Sequence, residues 1–206
     1  MEINELNSTL GNIDIYLLDQ ILKGRFDKEM RILDAGCGEG RNCIFFLHQG
    51  YRIFGCDANP IAVQMCRVTA KTIDSDYDVH RFQKAHIEEM PFHNGAFDVI
   101  LSSAVLHFAR SETHFFQMMD EMMRILRSGG LFFLRMCTDQ GNMREKSPHL
   151  GEGVYLLPDG SERFLLTPEL EEEVMKKYHL EHVEPPKSVL VHDLRSMGVF
   201  VMHKKE

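Results

Sequence analysis

The sequence lacks a paired set of cysteines and a long apolar run. Its five cysteines form no C-x-x-C pair and are odd in number, which favours reduced thiols over a disulfide framework. No apolar stretch approaches the ~20 residues that cross a membrane. The acidic, polar start MEINELNSTLGNID is not typical of a secretory signal. The chain is therefore expected to be cytoplasmic, with no membrane partner.

Positive charge is also scarce. Lys and Arg number 23 against 31 Asp and Glu, giving a net charge of −8, and the only basic cluster is the terminal HKKE. Proteins that hold nucleic acid through its phosphates usually present a basic face. Nucleic acid is therefore not the expected partner, and a small molecule is.

Metal-binding spacing is missing too. The histidines show no H-x-x-x-H or H-E-x-x-H arrangement, and His179-x-x-His182 alone is too little for a site. No metal is expected.

The alternation of predicted strands and helices indicates an α/β protein. Strands are predicted at 30–35, 51–57, 79–85, 96–105 and 131–137, with helices between them over 40–50, 60–73 and 111–127. Two consecutive strands, 188–193 and 196–203, follow a helix that starts at Thr167-Pro168. The expected fold is a doubly wound, Rossmann-like sheet, mostly parallel with an antiparallel C-terminal strand and helices on both faces.

One domain over 1–206 is expected, with two appendages. Residues 1–29 form an N-terminal helical cap, in which a helix over 12–24 is predicted. Residues 138–167 are polar and glycine-rich, with a hairpin around Pro158-Asp159-Gly160, and are expected to be an insertion on the substrate side.

The segment ILDAGCGEGRN (32–42) contains a glycine turn after the first strand. Its spacing is G-x-G-x-G, whereas a dinucleotide fingerprint needs a third glycine at the position of Arg41. No P-loop lysine follows. Asp34 before the turn would repel phosphate and attract a cationic group, and Asp57 ends the next strand, where such sheets bind ribose hydroxyls. An adenosine with a cationic, phosphate-free tail fits both acids, and S-adenosylmethionine has both parts.

The same segments resemble the class I S-adenosylmethionine-dependent methyltransferases. ILDAGCGEGRN resembles their motif I, FGCDANPIAVQMCR (54–67) their second strand and helix, HIEEMPFHNGAFDVILSSAVLHF (86–108) their adenine loop and fourth strand, and EMMRILRSGGLFFL (121–134) the approach to the fifth. Within this family the CGEGRN form is most similar to a small bacterial branch that includes tellurite-resistance-type enzymes. The resemblance implies S-adenosyl-L-methionine as cofactor and S-adenosyl-L-homocysteine as product.

The resemblance also implies cofactor contacts. Asp34 would face the methionine amino group, Asp57 both ribose hydroxyls, and Arg41 the cofactor carboxylate. The pocket floor, the adenine bracket and the methionine side would be formed by Gly36, Cys37, Gly38, Ala58, Asn59, His86, Ile87, Ser103 and Ala104. Many relatives have an acid where this chain has His86, so the contact to the adenine amine departs from the family pattern.

Methyl transfer from a sulfonium needs little acid–base catalysis, because the leaving group is neutral. The main task of the protein is to hold the nucleophile and the methyl group in line. His107, just beyond the fourth strand, is the candidate catalytic base; the alternative is a structural histidine that is bonded to backbone or forms a wall of the pocket. Candidate substrate contacts are Tyr16, Arg144, His149 and Tyr155.

Three functions remain open from the sequence. The first is a methyltransferase for a small molecule, which the capped crevice favours. The second is an RNA- or protein-directed methyltransferase, and the third a non-catalytic S-adenosylmethionine-binding protein. No Asn/Asp-Pro-Pro-Tyr/Phe tetrad follows the fourth strand, which argues against amino methylation of bases and glutamine.

Overall fold

The computed structural model describes residues 2–205. Its helices are α1 Ile3–Leu10, α2 Ile15–Leu22, α3 Ile44–His48, α4 Pro60–Ile73, α5 Glu112–Ile125, α6 Met143–Lys146 and α7 Pro168–Lys177. Its strands are β1 Arg31–Ala35, β2 Arg52–Asp57, β3 Phe82–Lys84, β4 Phe97–Ser103, β5 Leu126–Cys137, β6 His149–Gly151, β7 Val154–Leu156, β8 Glu162–Phe164, β9 Leu180–His182, β10 Lys187–Val191 and β11 Arg195–Lys204.

The main sheet has eight strands in the order β10-β11-β5-β4-β1-β2-β3, with β9 also paired to β11. Strands β1 to β5 are parallel to one another. Strand β11 runs antiparallel to β5 and to β10. This confirms the predicted fold class, including the antiparallel C-terminal strand. The chain order reverses between β1 and β4, and ligands of open α/β sheets bind at this kind of switch point.

Both faces of the sheet are buried, as the nearly all-apolar central strands predict. Successive residues of β4 and β5 alternate between two cores: Ile100 and Phe132 contribute to the core on the α5 and α7 side, and Leu101 and Phe133 to the core under α2, α3 and α4. The five cysteines are buried free thiols, four of them in these two cores and Cys137 in a separate small cluster with Met143, Leu157, Leu165 and Met197.

Local end signals predicted several elements closely. Helix α4 begins at Pro60 after Asn59, whose side chain accepts from the Ile61 N–H, and α5 begins after Ser111, whose hydroxyl accepts from the His114 N–H.

Other expectations were wrong. The strand predicted over 131–137 begins earlier, at Leu126, and residues 128–130 (SGG) lie inside this strand, β5, where the pairing with β4 shifts register. Strand β3 is shorter than 79–85 because residues 79–81 form a 3₁₀ turn. The helix predicted over 40–50 is reduced to the short α3, because residues 36–43 remain in the glycine turn. The N-terminal helix begins at Ile15, after Asp14, and a separate helix, α1, precedes it.

The 138–167 insertion contains α6 and a small antiparallel sheet, β6-β7-β8. The predicted hairpin is formed by β7 and β8, and its turn is closed by the Leu157 N–H, which donates to the Ser161 carbonyl at 2.8 Å. Phe164 of β8 stacks on Phe115 of α5 with ring centroids 4.9 Å apart. This stacking joins the insertion to the main core.

Two features are absent from residues 2–205, a membrane-spanning helix and a metal-binding cluster. None of the helices there is long and apolar enough to cross a bilayer. The same residues contain no group of three or more His, Cys, Asp or Glu side chains that could hold a metal ion.

Candidate functional site

The glycine turn lies at the carboxyl end of β1, beside the switch point. Gly36, Gly38 and Gly40 all have positive φ values, +82°, +53° and +86°, which glycine adopts without steric cost. A Cβ on Gly36 would lie 2.4 Å from the Val105 side chain, and one on Gly40 would lie 2.9 Å from the Cys66 sulfur. The turn is therefore packed on one side against β4 and on the other against α4.

Asp57 holds this turn in place from the end of β2. One carboxylate oxygen accepts the Gly38 N–H at 2.9 Å, and the other accepts the Asn59 N–H at 2.8 Å. A carboxylate has about four lone-pair sites, so each oxygen keeps capacity for a further donor. Asn59 itself caps α4.

A cavity of about 380 Å³ opens in front of the turn; we call it the glycine-turn cavity. Its volume lies within the usual range for small-molecule sites. Seven of the predicted cofactor contacts line it: Gly36, Gly38, Asp57, Ala58, His86, Ile87 and Ala104. The turn, the adenine loop and the end of β4 thus meet at one site.

Sequence reasoning missed other residues of this cavity, namely Glu88, Val105, Phe108, His114 and Met118. Glu88 lies 3.4 Å from the His114 ring nitrogen. It places a carboxylate two residues beyond His86, close to where the family pattern has an acid. The sequence does contain an acid in the adenine loop, Glu88. It was missed because the family's acidic position was compared with His86 alone.

Asp34 lies behind the turn rather than on the cavity wall and is only 1% exposed. Burial raises the pKa of Asp34 to about 7. The hydrogen bond from the Cys43 thiol and the charge of Arg41 lower this pKa, but by less than burial raises it. Cys37 likewise faces inward, with its sulfur 3.8 Å from that of Cys66.

A buried polar network connects the N-terminal helix α2 to the sheet. Asp14 caps α2 by accepting from the Tyr16 N–H. Its other oxygen accepts from the Ser103 hydroxyl at 2.8 Å and lies 3.2 Å from the Arg135 guanidinium. Arg41 lies 3.8 Å from the same oxygen. The pairing of Asp14 with Arg135 was not expected from the sequence, because no local sequence pattern shows that a helix-capping residue near the N-terminus lies next to a residue of β5.

His107 lies in a 3₁₀ turn after β4 and is 5% exposed. Burial lowers its pKa to about 4, and the charges of Arg163, Arg135 and Arg195 act in the same direction. The imidazole is therefore neutral at neutral pH. Its Nδ1 is buried and has no hydrogen-bond partner within residues 2–205.

The candidate substrate contacts lie apart from the glycine-turn cavity. The Tyr16 ring lies 5.9 Å from the Arg135 guanidinium carbon, and Arg144 pairs with Asp139 at 2.7 Å. His149 and Tyr155 pack on each other with centroids 4.7 Å apart. The insertion instead approaches the site with Leu150, Gly151, Glu152, Val154 and Glu162, which border a cavity of about 490 Å³ together with His107 and Phe108. We call this the insertion cavity.

Comparison with known proteins agrees with this geometry. Residues 33–134 match the family model described as Methyltransferase domain. The uncharacterized methyltransferase YodH of Bacillus subtilis is 29% identical over 100 residues, 48% of this chain and 40% of that protein. The tRNA (carboxymethyluridine(34)-5-O)-methyltransferase alkbh8 of Xenopus tropicalis is 28% identical over 122 residues, 59% of this chain and 18% of that protein. The chain thus matches less than half the length of these two relatives.

A solved structure shares the fold. The Burkholderia thailandensis 1,6-didemethyltoxoflavin-N1-methyltransferase, with bound 1,6-didemethyltoxoflavin and S-adenosylhomocysteine, has a TM-score of 0.68 and 18% identity, covering 98% of this chain and 82% of that one. The sheet and its switch-point cavity define a nucleotide-cofactor protein of Rossmann-like type. Within that class, the chain belongs to the S-adenosylmethionine-dependent methyltransferases of class I. The tellurite-resistance-type likeness of its motif I stays a prediction.

The residues present fit S-adenosylmethionine, the cofactor of this family. The glycine turn lets a ligand approach the backbone closely, and Asp57 has spare acceptor capacity for ribose hydroxyls. Apolar walls from Ile87 and Met118 suit an adenine ring.

Proposed function

We propose that this protein transfers a methyl group from S-adenosylmethionine to a small-molecule acceptor, within a single domain that spans the chain. The observation that carries the proposal is the insertion cavity, since Leu150, Gly151 and Val154 wall it beside the glycine-turn cavity. Phe108 borders both cavities. A walled space of this kind suits a small acceptor better than a polymer.

When bound, the cofactor supplies a methyl group on a sulfonium, whose departure as a thioether needs no acid. The chain's own residues would then bind and orient. Asp57 holds the ribose hydroxyls, and Glu88 takes the adenine amine in place of an acid at His86. Arg41 and Asp34 would act at the methionine end, and Ser103, fixed by Asp14, would line that side.

His107 would act on the acceptor side. Its neutral ring and free Nδ1 can accept a proton from an acceptor that loses one on methylation. The low pKa makes it a weak base in the empty site. In-line positioning of the acceptor and the methyl group is therefore the larger contribution.

Calorimetry with S-adenosylhomocysteine tests the cofactor site. Asp57→Ala removes a carboxylate that binds both the turn and the ribose, and hydrogen bonds to charged groups are worth about 1.5–3 kcal/mol each. A loss of affinity of roughly 100-fold or more is expected. Asp78→Ala removes a carboxylate that caps the 3₁₀ turn before β3 and should leave affinity unchanged. Equal affinity of wild type and Asp57→Ala would contradict the assignment.

A tRNA-directed methyltransferase is the second candidate, because relatives named as tRNA enzymes match this chain. The net charge of −8 disfavours it. Transfer of labelled methyl from S-adenosylmethionine to total tRNA, compared with transfer to a panel of small molecules, distinguishes the two. Cofactor binding with no transfer to either would favour the third reading, a non-catalytic binding protein.

A further inference from the structure

A third, smaller cavity lies beside the end of β4. Its volume is about 200 Å³, room for six or seven water molecules at about 30 Å³ each. Ala104 borders both this cavity and the glycine-turn cavity, and His107 borders both this cavity and the insertion cavity. Its polar lining is unusual: Arg135, Arg163, Arg195, His107 and Ser161. We call it the arginine cavity.

Three strands supply its three guanidinium groups: Arg135 from β5, Arg163 from β8 of the insertion and Arg195 from β11. Two have carboxylate partners. Arg135 lies 3.2 Å from Asp14, and Arg195 lies 3.2 Å from Asp159. Arg163 has no ion-pair partner in the described chain; its guanidinium carbon lies 4.7 Å from the centre of the Phe108 ring. Asp14 is shared with Arg41, which lies 3.8 Å from the same oxygen, so the two carboxylates do not neutralise the three guanidinium groups of the cavity.

Two polar atoms of residues that line this cavity lack a hydrogen-bond partner. They are the His107 Nδ1 and the Arg135 Nε, which are both buried and unpartnered among residues 2–205. A buried polar atom without a partner costs about 1–3 kcal/mol. Arginine binds planar carboxylates with two parallel hydrogen bonds.

We propose that the arginine cavity binds a carboxylate group of the methyl acceptor, through Arg163 with Arg135 and Arg195, beside His107 and Ser161. The proposal rests on the methyltransferase function proposed above and narrows its acceptor to organic acids. The carboxylate is an anchor in this assignment, and the rest of the acceptor extends past His107 into the insertion cavity.

The test uses two probes of the same shape, benzoate and neutral benzamide, titrated into the protein with and without saturating S-adenosylhomocysteine. The His107 ring signals in the NMR spectrum report occupancy next to the cavity. Benzoate should bind at least 10-fold more tightly than benzamide and should raise the pKa of His107, because the carboxylate offsets the arginine charges. Equal affinity of the two probes overturns the proposal without any variant.

Two arginine variants make the assignment specific. Arg163→Gln should weaken benzoate at least 10-fold and leave benzamide unchanged. Arg81→Gln is the matched control, because Arg81 also stacks on an aromatic ring, Phe54, and has no ion-pair partner in the described chain; its benzoate affinity should equal that of wild type. Loss of benzoate binding in both variants, or in neither, overturns the proposal.

Methyl phosphate serves as the competing anion. If it binds more tightly than benzoate and depends on Arg163, the carboxylate assignment is wrong and a phosphorylated acceptor replaces it. Failure of the methyltransferase function has a different signature, since no methyl would then be transferred from S-adenosylmethionine to any acceptor. The titration of the free protein would still decide whether the cavity holds a carboxylate.

Discussion

Single side chains of this site are tuned by burial, in opposite directions. Asp34 has its pKa raised to about 7, so the folded protein holds a proton there that the unfolded chain, near 3.8, has released. The pKa of His107 is lowered to about 4 from 6.5, so between these pH values the ring is neutral in the folded protein and protonated in the unfolded chain. Between about pH 4 and 6.5 these two residues make stability change with opposite sign.

Asp34→Asn should therefore gain stability relative to wild type as pH rises from 5 to 8. The contribution of a group with a raised pKa is present below its unfolded value and is lost as pH rises through the folded value. The difference should reach a few kcal/mol, at about 1.4 kcal/mol per pKa unit. Urea unfolding of both proteins at several pH values measures it.

His107→Gln provides the opposite comparison. The wild type loses stability as pH falls from about 6.5 to 4, because protonating the buried ring is unfavourable, and the variant has no such group. The variant should gain relative stability on acidification. A difference from wild type that stays constant with pH, for either variant, would show that its group does not titrate as described.

At the scale of elements, the N-terminal helix α2 is held by a charge pair between the buried Asp14 and the partly exposed Arg135. Asp14→Ala removes the cap of α2 and leaves Arg135 without its carboxylate. The loss of unfolding free energy should lie between the cost of a lost cap, about 1 kcal/mol, and that of breaking a fully buried pair, about 3–5 kcal/mol. Thr167→Ala, which removes only the cap of α7, should reproduce the smaller value. Similar losses of unfolding free energy in both variants would contradict the role of the pair.

The insertion is joined to the core through Phe164, which is 1% exposed and stacks on Phe115. Phe164→Ala should cost about 3–5 kcal/mol and increase protease cleavage within residues 148–162. Leu156→Ala, on the same small sheet but 37% exposed, should cost less than about 1 kcal/mol. Unchanged proteolysis of Phe164→Ala would show that the insertion is held by other contacts.

Elements with local end signals were predictable, and elements that depend on distant partners were not. Asn59-Pro60 and Ser111 define the starts of α4 and α5 within a few residues. Strand β9 forms because β11 offers an edge, which no local pattern shows. The glycine turn and Asp57 were visible as a motif. The arginine cavity was not, because its three guanidinium groups come from strands far apart in the chain.

At the scale of the whole molecule, cofactor binding should stabilise the fold. A ligand at 100 times its Kd adds about 2.7 kcal/mol, and 1 kcal/mol raises Tm by about 2–4 °C in a domain of this size. Saturating S-adenosylhomocysteine should thus raise Tm by about 5–11 °C, measured by calorimetric melting. Asp57→Ala should abolish the rise at the same ligand concentration, and the same rise in that variant would place the ligand elsewhere.

Ala104 stands where the glycine-turn cavity and the arginine cavity meet, with a φ of +63° and its N–H bonded to the Arg135 carbonyl at 2.8 Å. It is the residue that the linings of the two cavities share. Non-bonded carbons pack at about 3.5–4.0 Å, so a larger side chain at this position would extend into one cavity or the other and reduce the room for its occupant.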